Sequence, residues 1–71
     1  MVPLVFVKND EISTIKEIKG KPDVKKRLED MGFVVGCPIK VVNSISDNLI
    51  VSVKGTRVGI DKNLANKIFV G

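Results

Sequence analysis

Side chains able to do covalent or metal chemistry are scarce in this chain, and that scarcity already narrows its function. There is no histidine, and Cys37 is the only thiol in 71 residues. Without an imidazole there is no Ser-His-Asp or Cys-His nucleophile, and the commonest transition-metal ligand is missing. Cys37 reads as a structural, half-buried residue. A redox or metal role for it would need a carboxylate partner or a second chain. A single cysteine also precludes an intramolecular disulfide, which fits a reducing cytosol. Among the acids, Glu29 and Asp30 are adjacent and would point about 100° apart on a helix, a poor arrangement for chelation. Asp10 and Glu11 could bind a hard cation weakly. No GxxxxGKS, GxxxxGKT or GxGxxG stretch is present, so no nucleotide site of a known kind is expected. "GTRVG", residues 55–59, lacks a following amphipathic helix and reads as a hairpin, not a phosphate loop. The chain therefore does not read as an enzyme, and no catalytic residue, cofactor or small-molecule substrate is assigned to it.

Function must then be sought in contact. The stretch "RLEDMGFVVG", residues 27–36, sets two glycines four residues apart around Phe33-Val34-Val35. One reading is that Gly32 and Gly36 serve backbone geometry only. The other is that the loop 32–37 is also a partner surface, because its glycines expose backbone and its apolar residues cannot all be buried.

The elements that must position this loop can be read on either side of it. In "GKPDVKKRLEDMG", residues 20–32, Val24, Leu28 and Met31 recur at i, i+4 and i+7 as one apolar stripe. Pro22 suits the first helical position and Asp23 the positive helix end. Gly32 fits the left-handed position that ends many helices. Phe33 or Val34 can then enter the core beside Leu28 and Met31, and Gly36 turns the chain into a strand beginning at Cys37. "CPIKVVN", residues 37–43, and "LIVSVK", residues 49–54, alternate as strands joined by the turn "ISDN". Lys54-Gly55 is a tight turn into a strand carrying Val58 and Ile60. Asp61 can N-cap the helical turn "KNLANK", with Leu64 and Ile68 inward, and "IFV" closes the chain. Upstream, "EISTIKEIK", residues 11–19, is rich in β-branched residues, but Ile12, Ile15 and Ile18 are three apart. A strand here implies a bulge or a strong bend.

Composition agrees. One domain, residues 1–71, is all that this length supports, and such a chain buries only about 60% of its unfolded surface. With 44% apolar residues but only three Phe and no Trp or Tyr, the core is built from Val, Ile and Leu, which suit strands. The start "MVPLVFVKND" is apolar for too few residues to span a membrane or form a signal sequence. It reads as the first edge of a soluble cytoplasmic fold. Short strands in so small a chain close most economically into a partly open barrel with one helix plugging an end. Twelve Lys and Arg against eight Asp and Glu give a net charge of +4. Lys21, Lys25, Lys26 and Arg27 lie close together. They read as a solvated helix face, or as attraction toward an acidic protein, an anionic membrane or nucleic acid.

The segment "RLEDMGFVVGCPIKVV" resembles the FeoA family of small bacterial SH3-like proteins linked to ferrous iron uptake. It matches that family's pattern of a helix ending in Leu-x-x-Met-Gly-aliphatic, two further residues, a glycine and a strand, with Phe33 at the aliphatic position. "VSVKGTRVGIDKNLANKIFV" is similar to the family's hairpin, helical turn and closing strand, so the resemblance covers residues 3–71. Phe6 and Asp10 stand where the family more often has a polar residue and a glycine. The resemblance implies a mainly β, SH3-like, partly open barrel with one α-helix after the first strand and a short helical turn before the last. It implies a non-enzymatic cytoplasmic accessory protein, peripheral at the inner membrane through its partner. That partner would be the cytoplasmic G-protein region of a membrane ferrous iron transporter.

On this reading Leu28, Met31, Gly32, Phe33, Val35 and Gly36 shape or present the docking surface, while Lys25, Lys26 and Arg27 add electrostatic steering. No tight Fe(II) site is expected, because the ligands are not in the sequence. Nucleic-acid binding is the alternative, since small barrels also serve RNA-binding proteins. Against it, Phe6, Phe33 and Phe69 are not interleaved with basic residues as a stacking platform. A metal-responsive regulatory module is a further alternative. Without a helix-turn-helix it would act only through another protein. Exposed barrel edges also allow weak self-association, with Phe6 as a candidate contact.

Overall fold

Alternating apolar residues put six strands into one antiparallel sheet, and the computed structural model describes every residue from Met1 to Gly71. The elements are β1 (Val2–Pro3), a 3-10 turn (Leu4–Phe6), β2 (Ile12–Ile18), α1 (Pro22–Asp30), β3 (Pro38–Ile45), β4 (Asn48–Val53), β5 (Thr56–Asp61), α2 (Lys62–Ala65) and β6 (Ile68–Val70). The strand order is β1-β6-β2-β3-β4-β5, with β1 and β5 as free edges. This is the SH3-like, partly open barrel implied by the sequence. No helix is long and apolar enough to cross a membrane.

One feature of the order differs from expectation. The long helix follows the second strand, because Val2 and Pro3 pair with Val70 and Phe69 of β6. A two-residue strand has no alternation to detect, and its proline donates no hydrogen bond, so it belongs at an edge.

The bulge expected in β2 is present. The register of β2 on β6 shifts between Ile15 and Glu17. That shift restores the phase of the strand, so Ile15 and Ile18 both face inward although they are three apart. Ile12, on the other side of the pleat from Ile15, is 70% exposed.

Every buried residue is hydrophobic, and together they form one cluster. Ile39 and Val41 of β3, Leu49, Val51 and Val53 of β4, and Ile60 of β5 supply the sheet side. Leu28 of α1 and Leu4 of the 3-10 turn close over it. Val24 and Met31, the other members of the helix stripe, are half-buried against the same cluster. At the far end Asp61 caps α2, its Oδ1 accepting from the Leu64 N–H at 2.8 Å. This cap lets a four-residue helix form and turns Ala65 and Ile68 inward, with Leu64 half-buried.

Candidate partner-binding surface

The loop between α1 and β3 is built by backbone hydrogen bonds in two steps. First, α1 ends in a Schellman arrangement: the Phe33 N–H donates to Leu28 O and the Gly32 N–H to Glu29 O, each at 2.9 Å. This geometry brings the side chain following the glycine against the helix residue five positions earlier. Phe33 is accordingly fully buried beside Leu28, while Val34 turns out to solvent at 36% exposure. Gly32 supplies the required left-handed backbone with φ +103°.

Second, the Cys37 N–H donates to Val34 O at 3.1 Å, closing a four-residue turn with Val35 and Gly36 at its centre. Gly36 takes φ +95°, the positive value demanded at the third position of such a turn. Its N–H donates to Ile15 O at 2.8 Å, and Ile15 N–H donates to Cys37 O at 2.9 Å. The turn is thereby tied to β2. Val35, at its apex, is 57% exposed. Its exposure follows from this bonded turn, which holds the side chain away from the core.

The structure divides the proposed contact residues by role. Leu28 and Phe33 are buried and influence the surface only through the loop they hold. Gly32 and Gly36 set the backbone, Met31 is half-buried, and Val35 with Val34 presents apolar surface. Lys25, Lys26 and Arg27 are exposed, but three consecutive helix residues fan around the axis and share no face. Each also lies one turn from an acid: Arg27 from Asp23, Lys25 from Glu29 and Lys26 from Asp30. The helix is electrically balanced, so their steering is local.

Sequence reasoning missed the surface that continues from the loop. Pro38 follows it directly and lines a shallow groove of about 290 Å³ with Ile12, Lys40, Ser52, Lys54 and Gly55. Ile12 pairs with Lys40, and Lys40 with Ser52, across β2, β3 and β4. Apolar Ile12 and Pro38 thus lie among the ammonium groups of Lys40 and Lys54. The alternation of Lys40 and Lys54 with buried neighbours is visible in the sequence. The cross-strand register that assembles them with Ile12 is not.

Asp10, considered with Glu11 as a weak ligand for a hard cation, sits in the turn before β2. It takes φ +66°, where Asp is among the few tolerated residues, and its N–H donates to Val41 O at 2.6 Å. Its carboxylate lies 3.8 Å from the Lys40 ammonium, both groups being exposed. No three His, Cys, Asp or Glu residues are grouped so as to hold a metal ion. Cys37 is free and half-buried against the core, as expected. Of the three phenylalanines, Phe33 is buried and Phe69 half-buried with the Lys19 ammonium 4.7 Å from its ring centre. Phe6 is 74% exposed. The rings form no common stacking face.

Similarity to known proteins agrees with this architecture. Residues 2–71 match the FeoA domain. A protein of Methanocaldococcus jannaschii, described as an Fe(2+) transport protein A, is 36% identical over 70 residues, spanning 99% of this chain and 85% of that protein. A crystal structure of an iron uptake regulatory protein, FeoA, superposes with a TM-score of 0.91 at 31% identity, covering 99% of this chain and 93% of that one. A manganese-dependent transcriptional repressor superposes with a TM-score of 0.90 over 97% of this chain, but at 16% identity and over only 35% of its own length. With the repressor the fold alone is shared. With residues 2–71 of the chain matched by the FeoA domain, and over a third of its residues shared with a relative of nearly its own length, this chain belongs to the FeoA family.

Proposed function

We propose that this protein is a non-enzymatic accessory of ferrous iron transport. It docks on the cytoplasmic G-protein region of a membrane ferrous iron transporter through the loop 32–37 and the adjoining groove. The observation that carries this reading is the exposed pair Val34-Val35, held out by the Val34–Cys37 turn and its tie to Ile15. A surface already ordered in the free protein loses little conformational entropy on binding. Apolar Val35, Pro38 and Ile12 would form the contact centre, with Lys40 and Lys54 as a polar rim. Leu28, Met31, Phe33 and the two glycines keep the loop in place. The protein would act in the cytoplasm and reach the inner membrane only through its partner.

The test is an amide NMR titration of the labelled protein with the soluble G-protein region of a ferrous transporter from the same source, under anaerobic reducing conditions. Fe(II) alone is added to a parallel sample. Amide shifts should cluster on residues 31–37, Ile12 and Lys54, and Val35→Asp should weaken binding at least roughly tenfold without changing the melting temperature. Shifts confined to the Fe(II) sample, near Asp10, Glu11 or Cys37, would overturn the docking reading.

A further inference from the structure

The free edge of β5 is self-complementary, and from it we infer that two copies of this protein pair antiparallel through β5, Gly59 facing Gly59 across a two-fold axis. The argument begins with the hairpin. Val53 and Thr56 flank the two-residue turn Lys54-Gly55 and are paired, as are Val51 with Val58 and Leu49 with Ile60. In such a hairpin these pairs exchange the ladder hydrogen bonds. Thr56, Val58 and Ile60 therefore direct their N–H and C=O groups toward β4. Those of Arg57 and Gly59 point away from the sheet, where no strand follows. Both residues are exposed.

The backbone of this edge is open to pairing. It has no proline and no bulge, and Gly59 puts no side chain in the way. The opposite edge is a poor alternative, since β1 is two residues long and one of them is Pro3.

Charge selects the register. With Gly59 on the axis, Arg57 of one copy lies directly opposite Asp61 of the other, and the pair occurs twice. Arg57 and Asp61 alternate with inward-facing Val58 and Ile60, so both side chains stand on the outer face of the sheet. The same register sets the outward-pointing backbone groups of Gly59 in the two copies directly opposite each other. Centring the axis on Val58 instead would set Arg57 opposite Gly59 and leave its charge unmatched. Asp61 uses Oδ1 to cap α2, leaving Oδ2 for a guanidinium. It also lines a polar cleft of about 280 Å³ with Asp47, Lys62 and Asn63, so an incoming guanidinium meets two carboxylates against the one ammonium of Lys62. A self-complementary strand of this kind fits a second copy of the same chain, because one register satisfies both partners equally.

Sedimentation equilibrium over a roughly hundredfold concentration range reads the association directly. The weight-average mass should rise from 7.8 kDa toward twice that value. In a mixture of isotope-labelled and unlabelled chains, an intermolecular contact between the α-protons of Val58 and Ile60 should appear, since these flank the axis as a non-hydrogen-bonded pair. Arg57→Glu reverses both cross-strand pairs at once and should weaken association at least roughly tenfold. Asp61→Asn, which keeps a capping oxygen, should weaken it less. Lys26→Glu, the same charge change on α1, should leave it unaltered. A mass fixed at 7.8 kDa throughout, equal weakening by Arg57→Glu and Lys26→Glu, or absence of the Val58–Ile60 contact would each overturn the proposal. None of these outcomes bears on docking through the loop 32–37.

Discussion

Replacing Gly32 by alanine isolates the contribution of one backbone angle to the loop on which the proposed contact depends. At φ +103° an L side chain is strained whatever the surrounding space. The space itself is adequate: an added Cβ would meet only Val53 Cγ1, at 3.5 Å, an ordinary contact. The cost is therefore conformational. A Cβ in left-handed backbone costs roughly 1–2 kcal/mol and sparsely populated conformations about 1–3 kcal/mol. Stiffening of the unfolded chain by alanine offsets part of this, but the strain outweighs that gain where the native angle is incompatible. We expect a loss of about 1–2 kcal/mol and a fall in melting temperature of about 4–16 °C. At roughly 0.05–0.15 kcal/mol per residue, 71 residues give a total stability of about 4–11 kcal/mol, so the variant stays folded.

Valine at position 32 should cost more, because its branched Cβ is confined further. Asparagine provides the sharper test. It is tolerated near φ +57°, as Asp10 is at +66°, but +103° lies well outside that basin. Gly32→Asn should therefore cost nearly as much as Gly32→Ala. The assay is urea unfolding followed by far-ultraviolet circular dichroism, since the chain has neither tryptophan nor tyrosine to report by fluorescence. A Gly32→Asn variant as stable as the parent would refute the reasoning, because it would mean that the loop relaxes into the ordinary left-handed basin at little cost.

Leu28→Ala should cost about 2–5 kcal/mol in the same assay, because Leu28 is fully buried and packs under the loop. The amides of Phe33 and Gly36 should lose hydrogen-exchange protection along with it. Lys54→Asn should raise the melting temperature by up to about 4–8 °C, because Lys54 sits at φ +51° in the hairpin turn before Gly55, at φ +75°, and Asn-Gly is the preferred pair there.

Much of this protein was legible without coordinates, because the signals were local. Pro22, the Val24-Leu28-Met31 stripe and Gly32 delimit α1 within one or two residues. A helix needs only its own hydrogen bonds and a single apolar face. Lys54-Gly55 and Asp61 mark a turn and a cap for the same reason: the chemistry that makes them lies within four residues. The strand 11–19 could be recognised as interrupted, since three isoleucines three apart cannot all face one side of a regular pleat.

Tertiary structure decided the rest. Whether Phe33 or Val34 enters the core is a matter of how the Schellman turn aims the chain at Leu28, and both residues are apolar enough to be buried. The strand Val2–Pro3 exists only because β6 comes back to meet it. The groove between Ile12, Pro38, Lys40 and Lys54 brings together residues up to 43 positions apart, from Ile12 to Gly55, through cross-strand registers that no local pattern encodes. The exposed apolar surface and the free edge of β5 likewise appear only on closure of the sheet. Burial and strand neighbours depend on residues distant in sequence, whereas periodicity, caps and turns depend on those nearby.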